Sequence, residues 1–386
     1  MSKKESNDLK NVSDKNPLIA PLYQTASFSF KDTAELARFH NGEEKNKFLY
    51  SRFENPTTVA TEAYLSGLEK SESSLLFSSG MAAITCSLIS LLGPGKKLIL
   101  PETTYRHTRD LADKILSKYG IEILTISNFN IDTLEQIEEK EIRVLFVEIP
   151  SNPLLSIPDI EKLSEWCHSN KVHLIVDSTI ASPAILNPLE YGADLVIHSA
   201  TKYLSGHNDI VAGSISASEN LIDALKEQRM LLGSTLGINE AFLLHRGMKT
   251  LGIRMARISE TALKLAEFLE GHKKIKNVFY PGLESHPDHS NALKYLKNTF
   301  GGLISFEMKD RTITDKFIDN LEVSFLAAGF GGIESQAEHH AKMAYPDLEK
   351  ENSLLTCIPE GLIRFSVGLD DFEILRDDIN QALGKC

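Results

Sequence analysis

An α/β fold, with one mostly parallel sheet and a smaller C-terminal α/β domain, is what three observations predict. Short β-type runs alternate with helical stretches between residues 56 and 245. Two of those runs, VLFVE (144–148) and HLIVD (173–177), are nearly all apolar instead of alternating. The chain has 386 residues, more than a single small core usually needs. An unbroken apolar run of strand length suits a strand covered on both faces, as in a parallel sheet between helix layers.

The elements follow in order. Residues 1–55 read as an arm, largely polar, with Pro17 and Pro21 interrupting any helical period. A short alternating piece stands at Tyr23–Phe30. An arm of this kind cannot bury a core of its own, so it is expected to pack elsewhere, with a neighbouring subunit as the candidate. Residues 56–245 predict strands at Ser74–Phe77, Lys97–Leu100, Ile121–Ile126, Val144–Glu148, His173–Asp177 and Leu195–His198. Helices are predicted at Met81–Leu91, His107–Lys118 and Ile160–His168. Residues 246–386 form the C-terminal domain, opening on the helical RGMKTLGIRMARISETALKLAEFLEGH and holding strands at Leu303–Glu307 and Leu362–Val367.

Composition narrows the class. Apolar residues are 42% and charged residues 24%, ordinary for a globular protein. The net charge of −12 argues against a nucleic-acid-binding surface. Cys86, Cys167, Cys357 and Cys386 form no CxxC pair, which fits free thiols in a reducing compartment. The opening MSKKESNDLKNVSDKNPLIA lacks the apolar stretch of a signal peptide, and no apolar run reaches membrane-spanning length. The expectation is a cytoplasmic protein with no membrane partner.

Three segments carry chemistry. HSATKYLSGH (198–207) follows the strand LVIHS and sets Ser199 and Thr201 beside Lys202. A lysine beyond a buried strand, flanked by hydroxyls, can bind phosphate and, once neutral, attack a carbonyl. Taken alone, the segment is better read as a helix cap followed by a solvated lysine. Asp177 closes HLIVD, at the carboxyl end of a strand, where open α/β sheets bind ligands. A carboxylate there could keep a pyridinium nitrogen protonated, or could merely cap the next loop. FSSGMAA (77–83) is a strand-to-helix junction whose free amides could bind phosphate, although a tight turn explains Gly80 as well. Together the three supply a phosphate cup, a ring-nitrogen partner and a nucleophilic amine.

With these residues in view, the chain resembles the pyridoxal-phosphate (PLP) enzymes of cysteine and methionine metabolism. That family includes cystathionine synthases, cystathionine lyases and methionine γ-lyases. The matching stretches are YSRFENPTT (50–58), SSGMAA (78–83), Tyr105, VEIPSNP (147–153), VDSTIASP (176–183), HSATKYLSGHND (198–209), RGMKTLGIRM (246–255) and IRFSVGLDD (363–371). The resemblance implies fold type I, the aspartate-aminotransferase-like architecture, with residues 56–245 as the PLP-binding domain. It further implies that Lys202 carries PLP, Asp177 pairs with the ring nitrogen and Tyr105 stacks on the ring. Gly80, Met81, Ser199 and Thr201 would hold the phosphate, and Tyr50 and Arg52 would complete that site from the neighbouring subunit of a homotetramer. Asn152, Ser335 and Arg364 fall where the family orients the cofactor edge and grips the carboxylate of a small amino-acid substrate.

TYRHTR (104–109), FGGIES (330–335) and MAYPDL (343–348) look most like the plant-type γ-synthases of that family. His107 stands where such relatives tend to carry a lysine, which makes it a candidate substrate-binding residue. The implied reaction is γ-replacement on an activated homoserine, with γ- or β-elimination as the alternative on the same scaffold; a third reading, a non-catalytic member kept for binding, has no need of Lys202, Asp177, Tyr105 and Arg364 together. The chain departs from the family pattern at Glu54, at Gln336 and at His339-His340, where a His-Pro or Gln-Pro pair is common. The His286/His289 and His339/His340 pairs bring no third ligand, so no metal site is expected. GFGGIE (329–334) begins like a dinucleotide fingerprint but ends in Glu334 and lacks the flanking strand–helix unit.

Overall fold

The structure, a computed structural model, describes residues 17–344 and 358–386 apart from 45, 128 and 139. Cys357, the first sixteen residues and most of the MAYPDL stretch lie outside the described residues. Seven strands build the first sheet: β1 (Ser73–Phe77), β2 (Lys97–Pro101), β3 (Glu122–Ile126), β4 (Ile142–Glu148), β5 (His173–Asp177), β6 (Leu195–His198) and β7 (Gly213–Ala217). Their order is β1-β7-β6-β5-β4-β2-β3, and only β7 runs antiparallel to its neighbours. The predicted α/β class is the observed one.

The apolar runs explain the layers. Along β4, Leu145 and Val147 enter one core while Val144 and Phe146 enter the other. In β5, Leu174 and Val176 face the first core and Ile175 the second. Alternate side chains of a strand point to opposite faces, so a run buried on both must be apolar throughout. The second core includes Ala83, Ile84 and Leu88 of helix Gly80–Leu91. The first takes Ile160, Leu163 and Cys167 of helix Ile160–Asn170, then continues through helix Leu251–Glu270 into the second sheet.

That second sheet holds β8 (Ile275–Phe279), β9 (Leu303–Met308), β10 (Phe325–Leu326), β11 (Gln336–His339) and β12 (Leu362–Ser366) in the order β10-β11-β12-β9-β8. Residue 246, near which a division is expected, lies inside helix Ile238–Met248, ahead of the long Leu251–Glu270 helix. The helix expected over 107–118 is observed as Arg106–Lys114 followed by a 3-10 turn, Leu116–Tyr119, ended by Gly120 at φ 76°. In the arm, Tyr23–Phe30 forms no strand beyond a single bridge from Ser27 to Tyr50, and Thr33–His40 is helical.

Candidate active site

The carboxyl ends of the first sheet converge on a cavity of about 270 Å³. Gly80, Met81, Tyr105, Asn152, Asp177, Ser199, Thr201, Lys202 and Arg364 all line it. Nine side chains or backbone segments separated in sequence by up to 284 positions thus meet at one place, as expected where strand ends and loops build a ligand site.

Lys202 sits four residues beyond β6. Its amine has no hydrogen-bond or ion-pair partner among the described residues, and its nitrogen lies 4.8 Å from the centre of the Phe330 ring. Burial lowers its pKa to about 8, with Arg364 adding repulsion and Glu338 opposing both. Such an amine is neutral for a useful fraction of the time near pH 7.5, roughly a quarter against about a thousandth for an ordinary lysine.

Asp177 closes β5, where Thr179 donates to its Oδ1 from the backbone at 3.0 Å and from the hydroxyl at 2.5 Å. The Ser199 amide donates in turn to Thr179 Oγ1 at 2.8 Å, tying the lysine-bearing segment to the aspartate. Burial raises the Asp177 pKa, against those two bonds from Thr179 and the nearby His198. His198 meets Glu69 at 2.5 Å, both deeply buried.

The helix Gly80–Leu91 begins at the cavity. Ser79 caps it by accepting from the Ala82 amide, while the first-turn amides of Gly80 and Met81 have no intrahelical acceptor. Close approach requires two glycines. A Cβ on Gly80 would lie 2.9 Å from Ser199 Cβ, and one on Gly213 would lie 2.0 Å from the Ser79 carbonyl oxygen. Thr201 sits beside them, its hydroxyl accepting from the Ala212 amide at 2.9 Å.

Tyr105 stands immediately before the helix Arg106–Lys114, and its amide donates to Glu148 Oε1 at 2.6 Å. Glu148, at the end of β4, is pushed up to about 8 by burial and by the neighbouring Asp177. Arg364 comes from β12 in the other sheet. Its Nη1 donates to Asn152 Oδ1 at 3.2 Å, its Nη2 to the Ala328 carbonyl at 2.9 Å, and its Nε meets Glu338 Oε1 at 3.1 Å.

Four expected residues lie elsewhere in the single protomer. Tyr50 and Arg52 are exposed, with the Arg52 guanidinium 5.8 Å from the Tyr50 ring centre and 3.4 Å from the Met230 carbonyl. His107 is mostly exposed next to Tyr105, the two rings 5.2 Å apart. Ser335 is buried, donating to Asp370 Oδ2 at 2.6 Å and accepting from the Gly368 amide at 2.9 Å. Glu148, Thr179, Phe330 and Glu338 had no assigned part. The first two lay inside the quoted VEIPSNP and VDSTIASP stretches, whose pattern named the segments without saying what those side chains touch.

Comparison with known proteins supplies the family. Residues 5–384 match the family described as Cys/Met metabolism PLP-dependent enzyme. The chain belongs to that family. Cystathionine γ-synthase 1 of Nicotiana tabacum is 41% identical over 95% of this chain and 68% of its own length. L-methionine γ-lyase of Fusobacterium nucleatum subsp. polymorphum is 39% identical, covering 95% of this chain and 94% of its own. A solved structure from Campylobacter jejuni, provisionally assigned as an O-acetylhomoserine (thiol)-lyase, superposes with a TM-score of 0.90 at 28% identity, covering 98% of each chain. That structure carries pyridoxyl-lysine phosphate.

This member of the family is therefore a PLP-dependent enzyme, and its fold is fold type I. The residues present fit the cofactor. A partly buried amine of lowered pKa, a buried carboxylate and a helix N-terminus pressed close by two glycines supply an attachment point, a partner for a ring cation and a seat for a phosphate. Among the described residues, no helix is long and apolar enough to cross a membrane.

Proposed function

We propose that this enzyme is a cystathionine γ-synthase, which replaces the γ-substituent of an O-activated homoserine with cysteine. The observation that carries the reading is the likeness to the tobacco γ-synthase over nearly the whole chain. PLP, when bound, supplies an electron sink for charge developing on the substrate's carbon skeleton. Lys202 would hold it, Asp177 would pair with the ring nitrogen and Tyr105 would lie on the ring. Gly80, Met81, Ser199 and Thr201 would hold the phosphate, with Tyr50 and Arg52 of a neighbouring subunit.

The chain's own groups then account for the proton movements. Once the substrate amine has displaced it, the Lys202 amine, with its pKa lowered to about 8, would serve in turn as the base toward the protons of the substrate α- and β-carbons and as the acid that returns them as the product forms. Arg364 keeps one Nη1 hydrogen beyond its bond to Asn152, which suits a substrate carboxylate. A lyase reading is favoured by the 39% identity to a methionine γ-lyase. Incubation with O-succinyl-, O-acetyl- and O-phosphohomoserine, each with and without cysteine, separates the two. Cystathionine formed only with cysteine supports the synthase; oxo acid and ammonia with cysteine present, and no cystathionine, overturns it.

The reading extends to a cytoplasmic homotetramer built from dimers that share active sites, and the exposure of Tyr50 and Arg52 in one protomer supports the sharing. Arg52→Ala and Lys202→Ala enzymes, each inactive, are expected to regain part of the activity when co-assembled. Mixed oligomers that form and stay inactive would place the whole site within one chain.

The proposed leaving group is the carboxylate of an acyl ester, acetate or succinate, which departs with the γ-oxygen as cysteine sulfur bonds the γ-carbon. An ammonium at position 107 would favour a dianionic phosphate ester by roughly 1.5–3 kcal/mol, about ten- to a hundredfold. A histidine stands there in place of that ammonium. His107 also has Asp110 Oδ2 3.8 Å away, which would offset such a charge. We therefore expect succinyl or acetyl homoserine to be preferred, and His107→Lys to shift the kcat/KM ratio several-fold toward the phosphate ester. A wild type that already prefers the phosphate ester contradicts this.

A further inference from the structure

The geometry points to His340 as a positioning residue that fixes Arg364 through Glu338. This rests on the reading of Arg364 as the anchor of the substrate carboxylate. Glu338 on β11 stands directly opposite Arg364 on β12 in the antiparallel register. A single oxygen, Glu338 Oε1, takes both the Arg364 Nε contact at 3.1 Å and a hydrogen bond from His340 Nδ1 at 2.6 Å. Arg364, Glu338 and His340 are 5%, 3% and 2% exposed, so water does not compete for these bonds.

The physical reason lies in the last torsion of the glutamate. The terminal torsion of such a side chain is broad, so a carboxylate with a single partner is free to turn. The second bond from His340 removes that freedom, and the carboxylate then presents a fixed acceptor to Arg364 Nε. Asn152 and the Ala328 carbonyl hold the other edge of the guanidinium. Burial keeps His340 below the ordinary histidine range, against the opposing pull of Glu338. A neutral imidazole donates from Nδ1 without becoming a second cation on Glu338, which leaves the carboxylate's charge to Arg364. His339 faces another way, toward Asp315 and the Glu360 carbonyl. Position 340 is one where this chain departs from the family pattern, and the proline common there has no side-chain donor.

The test compares holoenzymes of wild type, His340→Phe, His340→Gln, Glu338→Gln and Arg364→Gln. Each is titrated with L-norleucine, which has no γ leaving group, and with pentylamine, the same skeleton without the carboxylate, while the cofactor absorbance is followed. Arg364→Gln is expected to bind the two ligands alike. His340→Phe and Glu338→Gln should weaken norleucine about tenfold and leave pentylamine unchanged, the scale of one hydrogen bond to a charged group. In turnover, His340→Phe should raise KM with kcat within about twofold, because it leaves the Glu338 charge beside Lys202 in place and changes only how the carboxylate end is held. His340→Gln, whose amide can still donate to Glu338, should return norleucine binding to near the wild-type value. Unchanged norleucine affinity in His340→Phe or in Glu338→Gln overturns the inference, as does an equal loss in His340→Phe and His340→Gln. If Arg364→Gln still distinguishes norleucine from pentylamine, the carboxylate reading itself falls and takes the role of His340 with it.

Discussion

Lys202→Ala is expected to lose the borohydride-reducible absorbance of the holoenzyme and to lower kcat by on the order of 10³-fold or more, the scale of a lost proton-transferring group. The fold should survive, because the Lys202 amine makes no hydrogen bond among the described residues and its ring contact is with Phe330 alone. The apoprotein offers an independent check. Lys202 titrates near 8 when folded and near the ordinary lysine value of 10.5 when unfolded. Between those pH values the unfolded chain holds a proton that the folded chain has released, so stability rises as pH rises from about 8 to 10.5. Lys202→Ala should flatten that rise in thermal melts of the apoprotein. A variant that keeps its reducible absorbance and normal turnover would show that another lysine carries the cofactor.

Asp177→Asn should move activity and stability in opposite directions. Asparagine keeps the shape and can still accept both Thr179 bonds, so the change removes a charge and little else. On the proposed pairing, the variant would leave the ring nitrogen without a carboxylate partner. Turnover is expected to fall by on the order of 10²- to 10³-fold, about 2.7–4.1 kcal/mol of transition-state stabilisation. The apoprotein should gain. Burial raises the folded pKa of Asp177 above its ordinary 3.8, so the wild type loses stability as pH climbs through that range. At neutral pH the asparagine variant therefore melts higher without cofactor, and the difference closes below about pH 3.8. Equal melting of the two apoproteins at pH 7 would mean that the carboxylate is not strained by burial.

The parts of this molecule legible in its sequence are those written as local pattern. HLIVD and LVIHS announce strands buried on both faces, and the observed β5 and β6 have the predicted ends. The Gly80 turn and the Lys202 segment were readable as candidates for the same reason, since hydroxyls, glycine and lysine sit within a few positions of one another. β7 was missed. Its sequence GSISA is small and polar, yet all five residues are buried, and Ser216 satisfies its hydroxyl against Ser74 at 2.7 Å. Burial of that kind depends on a neighbouring strand, which no periodicity reveals. Glu338 was hidden by the same logic. It meets Arg364 through cross-strand register, 26 positions away, and register is set by the whole sheet. Tyr50 and Arg52 entered through resemblance alone, because an exposed aromatic and an exposed arginine carry no local mark of what they will touch.

The cavity straddles a join. Lys202, Asp177 and the start of helix Gly80–Leu91 hang from the first sheet, whereas Arg364 and its supporting Glu338 hang from the second. On the proposed roles, colour and turnover would report on different territory. An enzyme whose Arg364 is lost would then be expected to stay yellow and turn over poorly. Loss of Lys202 would bleach it. For this enzyme, a bound chromophore certifies only half of the machine.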